Sequence, residues 1–555
     1  MMSGHPLLQV SELSIGFLLE NGLVPAIQQV SFEIERGETL AIVGESGSGK
    51  SVTSLSILGL LPSPPAVING GEILFSEDGK HPVDLLTLNH DQLRDIRGKR
   101  IAMIFQEPMT SLNPVISCGE QVAEAIMAHE NISTAEAKQR AVELFHKVRL
   151  PEPLQIYDRY PHQLSGGQKQ RIMIAMAMSC SPALLICDEP TTALDVTVQK
   201  SILELINELK QEYGMGVIFI SHDLGLVAEI ADRIAVMYKG KLVEQGKAGV
   251  IYHSPQHPYT KALLACRPAN HPKGSPLPVV SDFLNAQTIS TSVIHKRYEP
   301  TQEDHSILCV KDLTVRYGHF TAVDKVSFDI RKGETVGLVG ESGCGKTTLG
   351  RSLLKLIEPS EGKIIFEGKD ISILNPMDMR SLRKKMQLIF QDPYSSLNPR
   401  IRIGTAMDEV LQVHTQFNQV QRKKKIMEML ERVGLHPDHY NRYPHEFSGG
   451  QRQRIVIARA LILEPSFVIC DESVSALDVS VQAQVLNLLN ELKDSFEFTA
   501  LFISHDLAVV KYISDRIMVM SQGKIVESGS SEQVYNHPAH PYTARLLEAI
   551  PGKKL

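Results

Sequence analysis

No apolar stretch of this 555-residue chain approaches the eighteen or so residues needed to cross a bilayer, which argues against an integral membrane protein. Cysteine is sparse: the seven residues Cys118, Cys180, Cys187, Cys266, Cys309, Cys344 and Cys470 form no C-x-x-C pair and are odd in number. That excludes a zinc knuckle or a disulfide framework as the organising device and leaves reduced, buried thiols. No excess of positive charge exists either. With 57 Lys and Arg against 63 Asp and Glu the net charge is −6, so a broad basic face, and with it a nucleic-acid partner, is not expected. The opening Met1-Met2-Ser3-Gly4-His5-Pro6 lacks a basic segment leading into an apolar one, and the chain is expected to work in the cytoplasm. Hydrophobic residues at 43% and charged ones at 22% are those of an ordinary soluble protein, longer than one core supports.

What the chain does contain is one set of motifs, twice. Gly44-Glu45-Ser46-Gly47-Ser48-Gly49-Lys50-Ser51 and Gly340-Glu341-Ser342-Gly343-Cys344-Gly345-Lys346-Thr347 both fit G-x-x-x-x-G-K-[ST], the Walker A phosphate loop. A single match arises by chance about two per cent of the time in a chain this long. The later motifs are rigidly spaced. Gly166 to Gly449, Asp188 to Asp471, His222 to His505 and His257 to His540 are each separated by 283 residues, whereas Lys50 and Lys346 are 296 apart. The first repeat therefore carries extra residues between its lysine and Gln106, expected as a surface-loop insertion near 76–86. Between Pro268 and His305 the composition turns to Pro, Ser, Thr and Asn. This predicts a first domain over 1–267, a linker over 268–305 and a second domain over 306–555.

Thr39–Val43 and Thr335–Val339 are short apolar runs entering each Walker loop, and helical spacing follows, so each repeat reads strand, loop, helix. The glycines let backbone N–H groups wrap phosphate oxygens, and the helix N-terminus adds positive potential. Lys50 and Lys346 are placed to reach the β- and γ-phosphates, while Ser51 and Thr347 offer a hydroxyl to Mg²⁺. Ala183–Glu189 and Ser466–Glu472 read as buried strands ending in paired carboxylates. Asp188 and Asp471 suit the magnesium shell; Glu189 and Glu472 suit the base that polarises an attacking water. Gln106 and Gln391 are candidates for both the metal and the catalytic set. His222 and His505, after apolar strands, are placed to bond a γ-phosphate. The segments Ser165-Gly166-Gly167-Gln168 and Ser448-Gly449-Gly450-Gln451 each open a helical stretch, where hydroxyl, bare N–H groups and dipole favour an anion.

With these motifs present, the chain resembles the ATP-binding cassette (ABC) ATPases over nearly all of both halves. The resemblance implies an α/β protein with two tandem nucleotide-binding domains. Each would have a RecA-like core, an antiparallel β subdomain and an inserted helical subdomain, at about 114–171 and 399–454. It further implies that the halves pair head to tail. Lys50, Ser51, Gln106, Asp188, Glu189 and His222 would then face Ser448, Gly449 and Gly450, and Lys346, Thr347, Gln391, Asp471, Glu472 and His505 would face Ser165, Gly166 and Gly167. ATP and Mg²⁺ are the implied ligands, Phe17 and Tyr317 match the aromatic that stacks on adenine, and Asp195 and Asp478 match the loop that crosses between halves. Three departures are Asp471-Glu472-Ser473-Val474-Ser475 in place of Asp188-Glu189-Pro190-Thr191-Thr192, Phe447 in place of leucine, and Cys344 in place of Ser48. The carboxylates survive, so hydrolysis is expected at both sites.

Gln106–Pro114, Arg159-Tyr160-Pro161-His162 and His257-Pro258-Tyr259-Thr260 recur as Gln391–Pro399, Arg442-Tyr443-Pro444-His445 and His540-Pro541-Tyr542-Thr543. These resemble the dipeptide, oligopeptide and nickel importer branch. The branch implies import of small peptides or glutathione-like molecules through two integral-membrane permease subunits. It also implies an extracytoplasmic solute-binding protein and a peripheral position on the cytoplasmic face of the inner membrane. Only Cys266 stands near an extension, so no iron–sulfur cluster is expected, and one histidine per copy (His257, His540) does not fill a metal shell. A twin-cassette ATPase acting on ribosome or DNA is the competing reading. It calls for zinc cysteine pairs or a long charged helical linker, and neither is written here. A nucleotide-gated regulator that does not hydrolyse ATP calls for damaged carboxylates or histidines, which are intact.

Overall fold

The computed structural model describes residues 5–20, 22–106, 111–192, 194–285, 305–475 and 477–550. Residues 107–110 of the first Gln-Glu-Pro segment, Ala193 and Ala476 of the Ala-Leu-Asp triplets, and 286–304 of the expected linker lie outside them. The chain forms two compact units. Unit 1 holds the described residues up to Leu194 and Val198–Leu264, and unit 2 holds Asp195–Thr197 and Ala265–Ile550.

In unit 1 the apolar run Thr39–Val43 is a wholly buried strand, flanked by Gly216–Ser221 and Arg233–Tyr238, both parallel to it. Leu184–Asp188 and then Ile101–Ile104 continue the sheet in parallel, and Lys241–Lys247 closes the other edge antiparallel. Strands buried on both faces explain why these segments are unbroken apolar runs rather than alternating ones. A four-stranded antiparallel sheet orders Gly22–Ile34, Leu8–Leu19, Ala66–Phe75 and Val83–Asp84. Its alternating face shares one apolar core with the six-stranded sheet, through Leu13, Ile15, Ile27, Ile42, Ile186 and Ile220.

Unit 2 repeats this plan. Its parallel sheet orders Met386–Ile389, Phe467–Asp471, Thr499–Ser504, Thr335–Val339 and Arg516–Ser521, with Lys524–Ser530 antiparallel at the edge. The four-stranded sheet uses Phe320–Arg331, Ser306–Tyr317, Glu361–Phe366 and Lys369–Asp370. The extra residues of the first repeat do not form the single expected insertion. The turn joining the last two strands spans 76–82 against 367–368, which accounts for five of the eleven residues. Another five precede Phe75, which lies 25 residues past Lys50 where Phe366 lies 20 past Lys346.

Each unit carries a helical insert: Cys118–Met127, Thr134–Lys147, Pro153–Tyr157 and Gly166–Ala177 in unit 1; Ile403–His414, Gln419–Arg432 and Gly449–Leu461 in unit 2. Ser117, Ser133 and Ser165 cap three of these helices, each in a reciprocal box with the Glu or Gln three residues on. Gly119 is where the insert packs closest, because a Cβ there would meet the Tyr157 ring at 2.1 Å.

The proline-broken stretch expected as linker is partly folded, and it belongs to unit 2. Asn487 brackets the Leu277 backbone, accepting from its N–H at 2.9 Å and donating to its carbonyl at 2.8 Å. Tyr512 Oη donates to Ser275 O at 2.8 Å, and the Lys273 ammonium pairs with the Asp515 carboxylate. Unit 1 has Glu204 and Glu229 at the places matching Asn487 and Tyr512, so the bracket is written into one repeat only.

Candidate functional site: two phosphate loops and their carboxylates

The strand Thr39–Val43 delivers the chain into the first loop at Gly44. A side chain at Gly44, with φ +157, would put Cβ 2.3 Å from Met237 O, and one at Gly49, with φ +103, 2.6 Å from Ile27 Cγ2. The loop therefore needs glycine there both for room and, at Gly49, for the left-handed backbone. Gly49 also starts the helix Lys50–Ile57 without a side-chain cap, so the leading N–H groups keep their capacity for an anion. Gly345 opens Lys346–Leu353 in the same way.

Lys50 is 4% exposed, and its ammonium donates to Gly44 O at 2.8 Å and Glu45 O at 3.0 Å, 3.9 Å from Glu189 Oε1. Lys346 donates to Gly340 O at 2.8 Å and Glu341 O at 2.9 Å, 4.0 Å from Glu472 Oε1. Ser51 Oγ donates to Asp188 Oδ1 at 3.1 Å and Thr347 Oγ1 to Asp471 Oδ1 at 2.9 Å. Each unit thus holds a hydroxyl against one buried carboxylate. Among the described residues no group of three His, Cys, Asp or Glu side chains is gathered for a metal. One hydroxyl and one carboxylate, both hard oxygen donors, fit Mg²⁺, which keeps much of its shell as water and substrate phosphate.

Glu189 is the hub of the first site. Gln106 Nε2 donates to its Oε2 at 3.2 Å, Thr192 Oγ1 at 3.0 Å, and His222 Nδ1 lies at 3.3 Å from the same oxygen. Glu472 receives Gln391 Nε2 at 2.8 Å, with His505 Nδ1 at 3.5 Å. Thr192 was not singled out in the sequence, because a threonine three residues past a glutamate carries no motif of its own. Its counterpart Ser475 turns instead to the Glu472 backbone carbonyl at 2.7 Å. Both glutamates sit in left-handed backbone at φ 47.

The adjacent carboxylates are pulled apart electrostatically. Burial lifts Asp188 to about 6, against the Ser51 hydrogen bond, with Glu189's charge adding to the rise. Burial works on Glu189 too, but His222, Lys50 and Thr192 outweigh it and hold its carboxyl at about 2. In unit 2 burial raises Asp471 against the Thr347 hydrogen bond, and His505 and Lys346 outweigh burial to lower Glu472. At neutral pH each glutamate is an ionised acceptor, the state a water-orienting group needs.

Ser165 and Ser448 stand at helix N-caps, accepting from Gln168 N at 3.3 Å and Gln451 N at 3.4 Å. The glutamine side-chain oxygens accept in return from Ser165 N–H at 3.0 Å and Ser448 N–H at 3.1 Å. Gln168 and Gln451 thus have their oxygens committed to the cap, and both serines are exposed. Phe17 is half-buried in its strand opposite Val24, and Tyr317 is 50% exposed at its strand end. In unit 2, Ser342 Oγ of the Walker loop donates to Asp195 Oδ1 at 2.7 Å and Thr197 Oγ1 donates to Glu341 Oε1 at 2.9 Å. His257 and His540 each accept a backbone bond from the tyrosine two residues on, at 3.2 Å, which makes them helix-capping groups.

The ABC transporter family model matches residues 27–192 and 323–475, which hold all of these loops and carboxylates. The chain belongs to the ABC transporter family. This ABC protein has two cassettes, each an α/β core with an antiparallel β subdomain, and it is an ATPase. The model of the oligopeptide/dipeptide transporter C-terminal region matches it twice more, at 243–284 and 526–554. It is 48% identical to the glutathione import ATP-binding protein of Pectobacterium atrosepticum, over 99% of this chain and 90% of that protein. The corresponding protein of Escherichia coli K12 is 50% identical over 98% of this chain and 89% of its own length. Among solved structures, a component of an ABC transporter complex from Clostridium perfringens aligns at 27% identity and a TM-score of 0.39. That alignment covers 42% of this chain and 92% of that one.

Proposed function

We propose that this chain is the energy-coupling ATPase of an importer for small peptides, with glutathione or a glutathione-like tripeptide as the cargo class. The observation that carries the reading is the pairing of two undamaged cassettes with two oligopeptide-type C-terminal regions, in a chain half identical to glutathione-import subunits over nearly its whole length. No feature favours the ribosome- or DNA-acting alternative. Its partners are two integral-membrane permease subunits and an extracytoplasmic solute-binding protein, and it sits peripherally on the cytoplasmic face of the membrane. Among the described residues no helix is long and apolar enough to cross a bilayer.

In each cassette the Walker lysine binds the terminal phosphates, the uncapped helix start receives the anion, and the glutamate orients water for attack. His222 and His505 hold the glutamate and the γ-phosphate in register, and Gln106 and Gln391 bond the same carboxylate oxygen as the histidines. Ser51 with Asp188, and Thr347 with Asp471, would hold Mg²⁺, which when bound would supply charge neutralisation on the phosphates. Following the family pattern, the serine of each signature segment completes the site of the other cassette, so that ATP favours closure and hydrolysis favours reopening. The test is uptake by membrane vesicles carrying this chain together with two cognate permease subunits and their binding protein. ATP-dependent accumulation of labelled glutathione or dipeptide is expected. ATP hydrolysis with no accumulation of either, and no recovery of the chain with the permeases, overturns the reading.

A further inference from the structure

The C-terminal segment of each repeat reaches back to its own phosphate loop through a tyrosine. Tyr259 Oη accepts the Glu45 N–H at 2.9 Å, and Tyr542 Oη accepts the Glu341 N–H at 3.0 Å. Each of these N–H groups belongs to a telling peptide. The unit joining Gly44 to Glu45 presents its N–H to the tyrosine and its C=O to the Lys50 ammonium at 2.8 Å; in unit 2 the Gly340–Glu341 peptide does the same for Lys346. A peptide group is planar, so holding its N–H fixes where its carbonyl points. The tyrosines are anchored in turn. Glu244 accepts Gln256 N at 2.7 Å and His257 N at 3.1 Å, and Glu527 accepts Ala539 N at 2.8 Å and His540 N at 3.1 Å, pinning the helix that carries each tyrosine.

We propose that Tyr259 and Tyr542 are positioning residues for ATP binding, setting through one peptide plane the place from which each Walker lysine engages phosphate. The inference rests on the ATPase reading and deepens it: the segment that marks the oligopeptide branch is a structural input to nucleotide affinity. The two units differ in a way that grades the effect. Tyr259 is fully buried, with the Tyr238 ring against it at 4.3 Å between centroids. Ser521 stands at the place matching Tyr238, and Tyr542 borders a cavity of about 750 Å³ lined also by Phe320, Gln522 and Arg545. Water from that cavity can replace a lost hydroxyl in unit 2, whereas the Tyr238 ring packed on Tyr259 hinders this in unit 1.

The experiment uses the full-length chain with one site disabled at a time by Lys346→Ala or Lys50→Ala. ATP affinity of the remaining site is measured directly with a fluorescent ATP analogue, and KM and kcat are measured for the intact pair. Tyr259→Phe keeps the ring and deletes only the hydroxyl. It is expected to weaken binding at the first site at least fivefold, raise KM, and leave kcat within twofold, because Glu189 and His222 are untouched. Tyr542→Phe is expected to act in the same direction, more weakly. Glu244→Gln should weaken binding in the wild-type background and add nothing to Tyr259→Phe, a non-additivity that general loosening of the fold does not produce. Unchanged affinity in Tyr259→Phe, or a lowered melting temperature with KM unmoved, overturns the proposal. Failure of the wild-type chain to bind ATP would instead overturn the underlying reading.

Discussion

His505 Nδ1 stands 3.5 Å from Glu472 Oε2, and the two groups ionise as a pair. Burial works against the imidazolium, yet the bond and charge of Glu472 prevail and raise its pKa; burial likewise opposes the carboxylate, yet His505 and Lys346 lower it. The pair therefore stabilises the fold fully between the ordinary values of 4.5 for glutamate and 6.5 for histidine. That contribution is lost as pH rises through the elevated histidine value, or falls through the depressed glutamate one. His505→Gln is expected to lower the melting temperature of unit 2 by a few degrees, on the order of 2–6 °C, near pH 5.5, and by less as the pH is made alkaline. A difference that grows towards alkaline pH would contradict the pairing.

Replacing both hub glutamates, as Glu189→Gln with Glu472→Gln, retains the shape and the amide-bonding neighbours but removes the ionised acceptor. Phosphate release is expected to fall by about 10²- to 10⁴-fold while ATP binding persists. Either single variant leaves the other hub intact. Because Glu189 alone receives Thr192 Oγ1 at 3.0 Å, Thr192→Val is expected to slow the first site and Ser475→Ala to leave the second nearly unchanged. Single-turnover hydrolysis with one Walker lysine disabled reads each site separately.

The bracket between Asn487 and Leu277 should fail as a unit. Asn487→Ala removes both bonds to one backbone position and is expected to cost about 1–3 kcal/mol locally. The readout is faster tryptic cleavage at Lys273, with Glu204→Ala at the matching place in unit 1 as the control that changes nothing.

The strands and loops were the readable part. Thr39–Val43 and Phe467–Asp471 are apolar without alternation because both faces are covered, and a strand running into a glycine-rich loop and a helix has few other ways to fold. The helical inserts were expected from the family resemblance and not from their own residues, although Ser117 and Ser133 each form a capping box with the Glu three residues on. Contacts across long separations were not readable. Nothing near Tyr259 states that its hydroxyl meets a peptide 214 residues earlier, and nothing in Pro268–Leu284 distinguishes a proline-broken tether from one pinned by Asn487 and Tyr512. The extra residues of the first repeat were counted correctly but assigned to one place, since a length difference does not say how many turns share it.

Glu189 and Glu472 both occupy left-handed backbone, a conformation glycine or asparagine adopts at ease and glutamate does not. Selection for a sturdier molecule would gain from replacing the acidic side chain at these two places. Each cassette therefore holds in reserve a small conformational debt, located at the atom that must face water, and a variant sought for heat resistance will tend to arrive there by giving up turnover.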